Sequence, residues 1–207
     1  MLKYLKMMVI LRRSSLITLL AFLSVSYSCR EIAVPKPKGH FRIDLPQKQY
    51  LHSNDQTGKI RDMPFSFDYP AYGNLTFQLE NRTEPGWFNI EFPAYRAKIY
   101  LTYKKVNNDF ASLMEQTYKM SVKNHITKAD AIDEQVFNNQ ENKVYGILYD
   151  LKGNTASAVQ FYVTDSINHY LRGSLYFSVE PNADSLAPVI AFFRTDIIHM
   201  IETLKWK

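Results

Sequence analysis

The stretch VYGILYDLKGNTASAVQFYVTDSINHYLRGSLYFSV, residues 144–179, decides the fold. It holds three runs rich in β-branched and aromatic residues: Val144 to Leu151, Thr155 to Thr164 and His169 to Val179. They are parted by Lys152-Gly153-Asn154 and by Asp165-Ser166-Ile167-Asn168. Glycine, asparagine and aspartate favour chain reversal, and connections this short join antiparallel neighbours. The spacing therefore predicts a three-stranded meander. Beyond it, Leu186, Val189, Ile190, Phe193, Ile197, Ile201 and Leu204 recur every three or four residues. That period predicts a long amphipathic helix starting at Asp184 or Ser185, with Pro188 in its first turn and its apolar stripe buried on the sheet.

Working back along the chain, Phe65, Phe67 and Tyr69 alternate up to Pro70, and Leu75 to Leu79 alternates again. Trp87 to Phe92 and Lys98 to Lys104 repeat the behaviour with Pro93 between them, so four strands precede any helix. Asn108 or Asp109 then caps a helix with Phe110, Leu113, Met114, Thr117, Tyr118 and Ser121 on one face, ending near Lys123-Asn124-His125. Ala131 to Phe137 admits helix or strand, and the alternation of Ile132, Glu134 and Val136 favours strand. A block of strands with helices at two places predicts an α+β fold, a single domain with a mainly antiparallel sheet and packed helices.

The N-terminus reads differently. Lys3, Lys6, Arg12 and Arg13 precede an apolar run, Leu16 to Val25, that is too short to span a bilayer, and Val25-Ser26-Tyr27-Ser28-Cys29 follows as a processing site. Cys29 is the single cysteine. Residues 1–28 are thus expected to be a lipoprotein signal peptide and Cys29 the lipid attachment site. Ser26 departs from the leucine of a strict lipobox, and Ser26 with Ser28 also suits ordinary Sec cleavage. That alternative would leave Cys29 as a free thiol, a liability in an oxidising compartment.

Composition then bounds the partners. The net charge of +5 comes largely from the signal, since its four basic residues leave 21 Lys/Arg against 20 Asp/Glu in the rest. A balance this close to neutral gives no electrostatic footprint for nucleic acid. With no second cysteine the fold must be held by burial, for which the 14 tyrosines and 13 phenylalanines supply apolar area. Residues 29–49, with Pro35, Pro37, Gly39 and Pro46, read as an N-terminal tether, and residues 50–207 as the α+β lipoprotein domain. Phe41 to Leu45 alternates and is a candidate edge strand that would shorten the free tether.

The search for chemistry is mostly negative. His40, His52, His125, His169 and His199 lack ligand spacing, so no metal site is expected. His199 is expected to pair with Glu202 on a helix surface. Gly153 to Ser157 resembles a phosphate-cradling loop but lacks the following helix and Lys-Ser/Thr pair, and fits a turn. No GxSxG surrounds a serine. Asp130, Asp133 and Glu134 are a candidate carboxylate group for acid/base work or calcium, against the commoner reading of a solvated acidic face. Trp87, Phe88, Phe92, Tyr95 and Tyr100 are a candidate aromatic platform for sugar or peptide, against the commoner division between core and surface. No catalytic residue and no cofactor is expected.

Several stretches carry a resemblance: PKPKGHFRIDLP at 35–46, Trp87-Phe88-Asn89-Ile90, Val144 to Asp150, Tyr170 to Phe177, Asp184 to Val189 and Ile201 to Lys207. Together, in order and over nearly the whole mature chain, they are similar to the gliding motility lipoprotein GldD family of Bacteroidetes. The resemblance implies a non-enzymatic cell-envelope lipoprotein needed for gliding and for the associated type IX secretion machinery. It implies action with other gliding lipoproteins such as GldJ, and a palmitate-bearing anchor in the outer membrane facing the periplasm, the inner membrane being the alternative. Cys29 alone is carried over as a functional position. The family pattern often places cysteines where this chain has Met63 and Gly86, which implies that the two positions lie close together.

Asp165-Ser166-Ile167 and Asp184-Ser185-Leu186 resemble an envelope O-glycosylation acceptor, making Ser166 and Ser185 candidate sites, although capping and turns also favour Asp-Ser. Three classes therefore stand side by side. They are an assembly component, a ligand-binding lipoprotein on a sheet of the general PsbP/Mog1 type, and a hydrolase using the Asp130 group.

Overall fold

Alternating side chains and short reversals build one large sheet with a helix against each face. The computed structural model describes residues 43–56, 58–77 and 86–207. Its strands are β1 (Tyr50–His52), β2 (Phe65–Ser66), β3 (Asp68–Pro70), β4 (Asn74–Phe77), β5 (Trp87–Phe92) and β6 (Ala97–Lys105). After helix α1 (Phe110–Tyr118) come β7 (Ile132–Asn139), β8 (Val144–Leu151), β9 (Ser157–Thr164) and β10 (His169–Phe177), then helix α2 (Ala183–Glu202) and β11 (Lys205–Trp206). Seven strands form the main sheet in the order β4-β5-β6-β10-β9-β8-β7, antiparallel throughout. The expected meander is β8-β9-β10, and residues 132–139 are a strand.

Strand β9 lies inside the sheet, between β10 and β8, and is buried at every residue. Val159, Phe161 and Val163 face α2, where they join Phe193, Ile197, Met200 and Ile201 in the larger core. Tyr162 faces the other way and packs with Tyr149, Leu151 and Tyr170 under Leu113 and Val122 of the α1 segment. Beyond Tyr118 this segment continues as a π turn, Lys119–Lys123, that brings Ser121 and Val122 inward. A strand buried on both faces loses the polar alternation of a half-exposed one.

Helix α2 starts slightly earlier than its apolar period indicates. Asn182 is its cap, accepting a hydrogen bond from the Ser185 N–H at 3.1 Å, which leaves Pro188 in the second turn. Phe65 to Tyr69 also departs from expectation, since it is not one strand of the main sheet. Phe67, fully buried, separates β2, which pairs with β11, from β3, which pairs with β1. The chain end is tied in by the Trp206 Nε1–H bonded to Lys143 O (3.0 Å) and by the Trp206 ring stacked on His169 at 5.0 Å.

Phe193 is the hub of the larger core, fully buried with its ring 4.4 Å from that of Phe92 and in contact with Tyr95, Phe177 and Phe192. Phe193→Ala is expected to destabilise the fold by about 4 kcal/mol through lost burial and the cavity left behind. Urea denaturation of the two proteins measures it.

Candidate functional site

The most concentrated polar constellation lies where α2 crosses the small β1-β3 ribbon. Asp196, 1% exposed, projects from the middle of α2. One carboxylate oxygen accepts from Lys48 Nζ (2.6 Å) and Tyr50 OH (2.9 Å), and the other accepts from Tyr72 OH (2.6 Å). Lys48 also donates to Phe192 O (2.7 Å) and sits 3.3 Å from the centroid of the Phe192 ring. Such a carboxylate is costly to bury unless donors surround it, and here they come from two stretches of chain, residues 48–50 and Tyr72.

Burial first, then the hydrogen bond to the Asp196 carboxylate and after it the Asp196 charge, push the Tyr50 and Tyr72 phenols well above their ordinary range. Burial lowers Lys48, with Asp196 opposing the shift. The constellation extends outward. The Tyr50 ring stacks on His199 at 3.8 Å, His199 Nε2 lies 3.4 Å from Asp68 Oδ2, and His52 Nδ1 is 2.6 Å from Asp68 Oδ1. His199 therefore faces Asp68 and Tyr50, not Glu202 as expected from its helical spacing. The link to Asp68 needs β3 folded against the helix, a long-range fact without a local signal. With every Asp196 oxygen engaged, the inner group is built as a clamp joining residue 48 to α2.

A second polar group lies on the opposite face of the sheet beside the π turn. Gln160, 1% exposed, accepts at Oε1 from Arg172 Nη2 (2.6 Å) and Ser121 Oγ (3.0 Å). Thr117 and Tyr170 are hydrogen-bonded nearby, and burial raises Tyr170 to about 12. Gln160 Nε2, Arg172 Nε and His125 Nδ1 have no hydrogen-bond partner among the described residues. Helix α1 covers only part of this face. The register sets Trp87 opposite Thr102, and Thr102 opposite Arg172, so the row continues onto strands outside the α1 cluster. Trp87 and Tyr100 there are each 40% exposed.

The candidate aromatic platform is thus divided. Trp87 and Tyr100 lie on this outer row, Phe88 and Phe92 are in the core, and Tyr95 donates its hydroxyl to Asp44 O (3.1 Å). The Asp130 group separates because Asp133 and Glu134 are neighbours on β7 and point to opposite faces. Asp133 sits 3.6 Å from Lys152 with both side chains largely exposed. Gly153 to Ser157 lies in the β8-β9 connection, with Gly153 at φ 89°. Ser166 occupies the β9-β10 turn at φ 65°, beside an Asp165 carboxylate bonded to the N–H groups of Ile167, Asn168 and His169.

Met63 and Gly86 do line one open recess of about 520 Å³. At φ 106°, however, a Cβ on Gly86 would meet Tyr103 O at 2.5 Å, so a cysteine there needs the backbone to shift. Cys29, His40 and the first part of the tether lie outside the described residues. Of the tether, Asp44 and Lys48 are in contact with the domain, and residues 43–49 carry no strand.

Because both clamp phenols hold their protons more tightly in the folded chain, their contribution is complete below pH 10.0 and is lost as pH rises above it. Lys48 acts oppositely below 10.5. Urea melts on either side of pH 10 are expected to show a smaller alkaline loss of stability for the Tyr50→Phe, Tyr72→Phe double variant than for wild type. Asp196→Asn is expected to cost about 3 kcal/mol at neutral pH, because it leaves the half-buried ammonium without its partner.

Residues 30–206 match the family described as gliding motility lipoprotein GldD. No curated protein matches the chain. Among solved structures, the solution structure of cyanobacterial PsbP (CyanoP) from Synechocystis sp. PCC 6803 is similar. It shows 12% identity and a TM-score of 0.45 over 83% of this chain and 100% of that chain. The family match begins at the residue after Cys29 and runs through every strand and helix described above. The chain belongs to the gliding motility lipoprotein GldD family.

Proposed function

We propose that the chain is held at the envelope by lipid on Cys29, after removal of residues 1–28, and acts by protein-protein contact rather than catalysis. Its setting is the gliding motility and type IX secretion machinery, its partners are other gliding lipoproteins such as GldJ, and its anchor lies in the outer membrane facing the periplasm. The observation that carries this reading is the family match that begins directly after Cys29. The clamp is consistent with it, since Lys48 joins the tether to the middle of α2 and the domain is then displayed from a fixed point.

A second reading draws on the outer aromatic row. Trp87 and Tyr100, each exposed on this row, would suit a ligand with a planar apolar part. A small molecule, sugar or peptide fits that description.

Crosslinking in intact cells followed by mass spectrometry separates the readings. Wild type is expected to capture other gliding lipoproteins, and Cys29→Ala to lose them. Equal capture by both proteins would remove the anchor from the account. Capture of no envelope protein by either would favour the ligand-binding reading.

A further inference from the structure

Among the described residues, one end of the main sheet is open: strand β7 pairs with β8 alone, over eight residues in a regular one-to-one register, and is the last strand in the sheet order. The Lys152 N–H donates to Ala131 O at 2.9 Å, which sets the phase of this ladder. Residue 131 faces β8, so Ile132, Glu134, Val136 and Asn138 turn their N–H and C=O groups toward the open edge. None of these four makes a further backbone hydrogen bond among the described residues. The strand is also held in place, because Arg194 of α2 reaches Gln135 Oε1 at 2.7 Å while its Nε–H bonds Asp150 of β8 at 2.8 Å.

Exposed edge strands are usually short, bulged, or blocked by proline or by charged side chains, above all lysine. Residues 132–139, IDEQVFNN, contain no proline and no lysine, their two acids lie in one half of the strand, and Val136, near the centre, is 71% exposed. The charge pattern selects what fits. Asp133 and Glu134 occupy one half of the strand, and the amides Asn138 and Asn139 the other.

We propose that β7 pairs with β7 of a second copy, antiparallel about a two-fold axis at Val136, making one sheet continuous through both copies. In that register Val136 meets Val136 of the second copy, Gln135 meets Phe137, Glu134 meets Asn138 and Asp133 meets Asn139. Each carboxylate faces an amide and no acid faces an acid. Asn139 is oriented for this role, since its Oδ1 already accepts the Asn142 N–H at 3.0 Å, which leaves its NH₂ as donor. Registers that set Asp133 or Glu134 against their own counterparts are rejected by charge, so the acids act as selectors. The outward backbone groups of Glu134, Val136 and Asn138 then find partners, and the exposed valines bury each other.

The test is sedimentation of the full-length chain in detergent, for wild type, Val136→Lys and Asn138→Asp, with circular dichroism to check folding. Wild type is expected to sediment with twice the protein mass of Val136→Lys, whose two ammonium groups would meet on the axis. Asn138→Asp sets a carboxylate against Glu134 twice over, and is expected to weaken the dimer about tenfold. It remains informative should Val136→Lys fail to fold. A monomeric wild type overturns the proposal. So does a dimer that persists undiminished in a folded Val136→Lys or in Asn138→Asp, since detergent or another surface would then be holding the copies together.

Discussion

A single buried carboxylate constrains the N-terminal side of this domain. Asp196 sits among Val189, Phe193, Ile197 and Met200 on the buried face of α2, and the helix can pack on the sheet only if that charge is met. Lys48, Tyr50 and Tyr72 meet it, from the segment before β1, from β1 itself and from the turn after β3. The small β1-β3 ribbon is thereby fixed over α2, and His199 and Asp68 come together as a result. Breaking such a group typically costs 3–5 kcal/mol, because one partner is left buried and alone. That is comparable to a large aromatic in the core.

Much of the fold was legible because its elements follow their own periods. The meander of β8, β9 and β10 is written in short Gly/Asn and Asp/Ser connections, and α2 in its spacing of three and four. Strand β7 needed the alternation of Ile132, Glu134 and Val136 to be weighed against a helix. The ribbon strands β1, β2, β3 and β11 are two or three residues long. Pieces so short have no period, and they exist only because distant partners supply the other half of each ladder. The same reason hides the site. Lys48 and Asp196 are 148 residues apart, and Arg172 reaches Gln160 across a hairpin. An aspartate within the apolar stripe of a helix was the one local sign, since a buried charge requires a partner.

Local signals also misdirect in an understandable way. Asp130, Asp133 and Glu134 cluster along the chain, yet a strand sends neighbours to opposite faces, so closeness in sequence becomes separation in space. His199 and Glu202 have helical spacing, but the imidazole stacks on Tyr50 and faces Asp68 of β3. Membership of the gliding motility lipoprotein family gives the envelope setting in which these features act. Among the described residues the main sheet carries an open edge at β7 and an exposed aromatic row at Trp87 and Tyr100. The clamp adds a fixed junction between the domain and the chain that precedes it.

Hydrogen exchange read at the Ala71 amide, which bonds Gln49 O at 2.8 Å across the ribbon, tests the role of the clamp most directly. Compared with wild type, Asp196→Asn is expected to speed exchange at Ala71 and through β1 and β3 while β9 and β10 stay protected, because the strap releases before the sheet opens. Unchanged protection at Ala71, or an equal loss across ribbon and sheet, would contradict the claim that Asp196 holds the N-terminal segment in place.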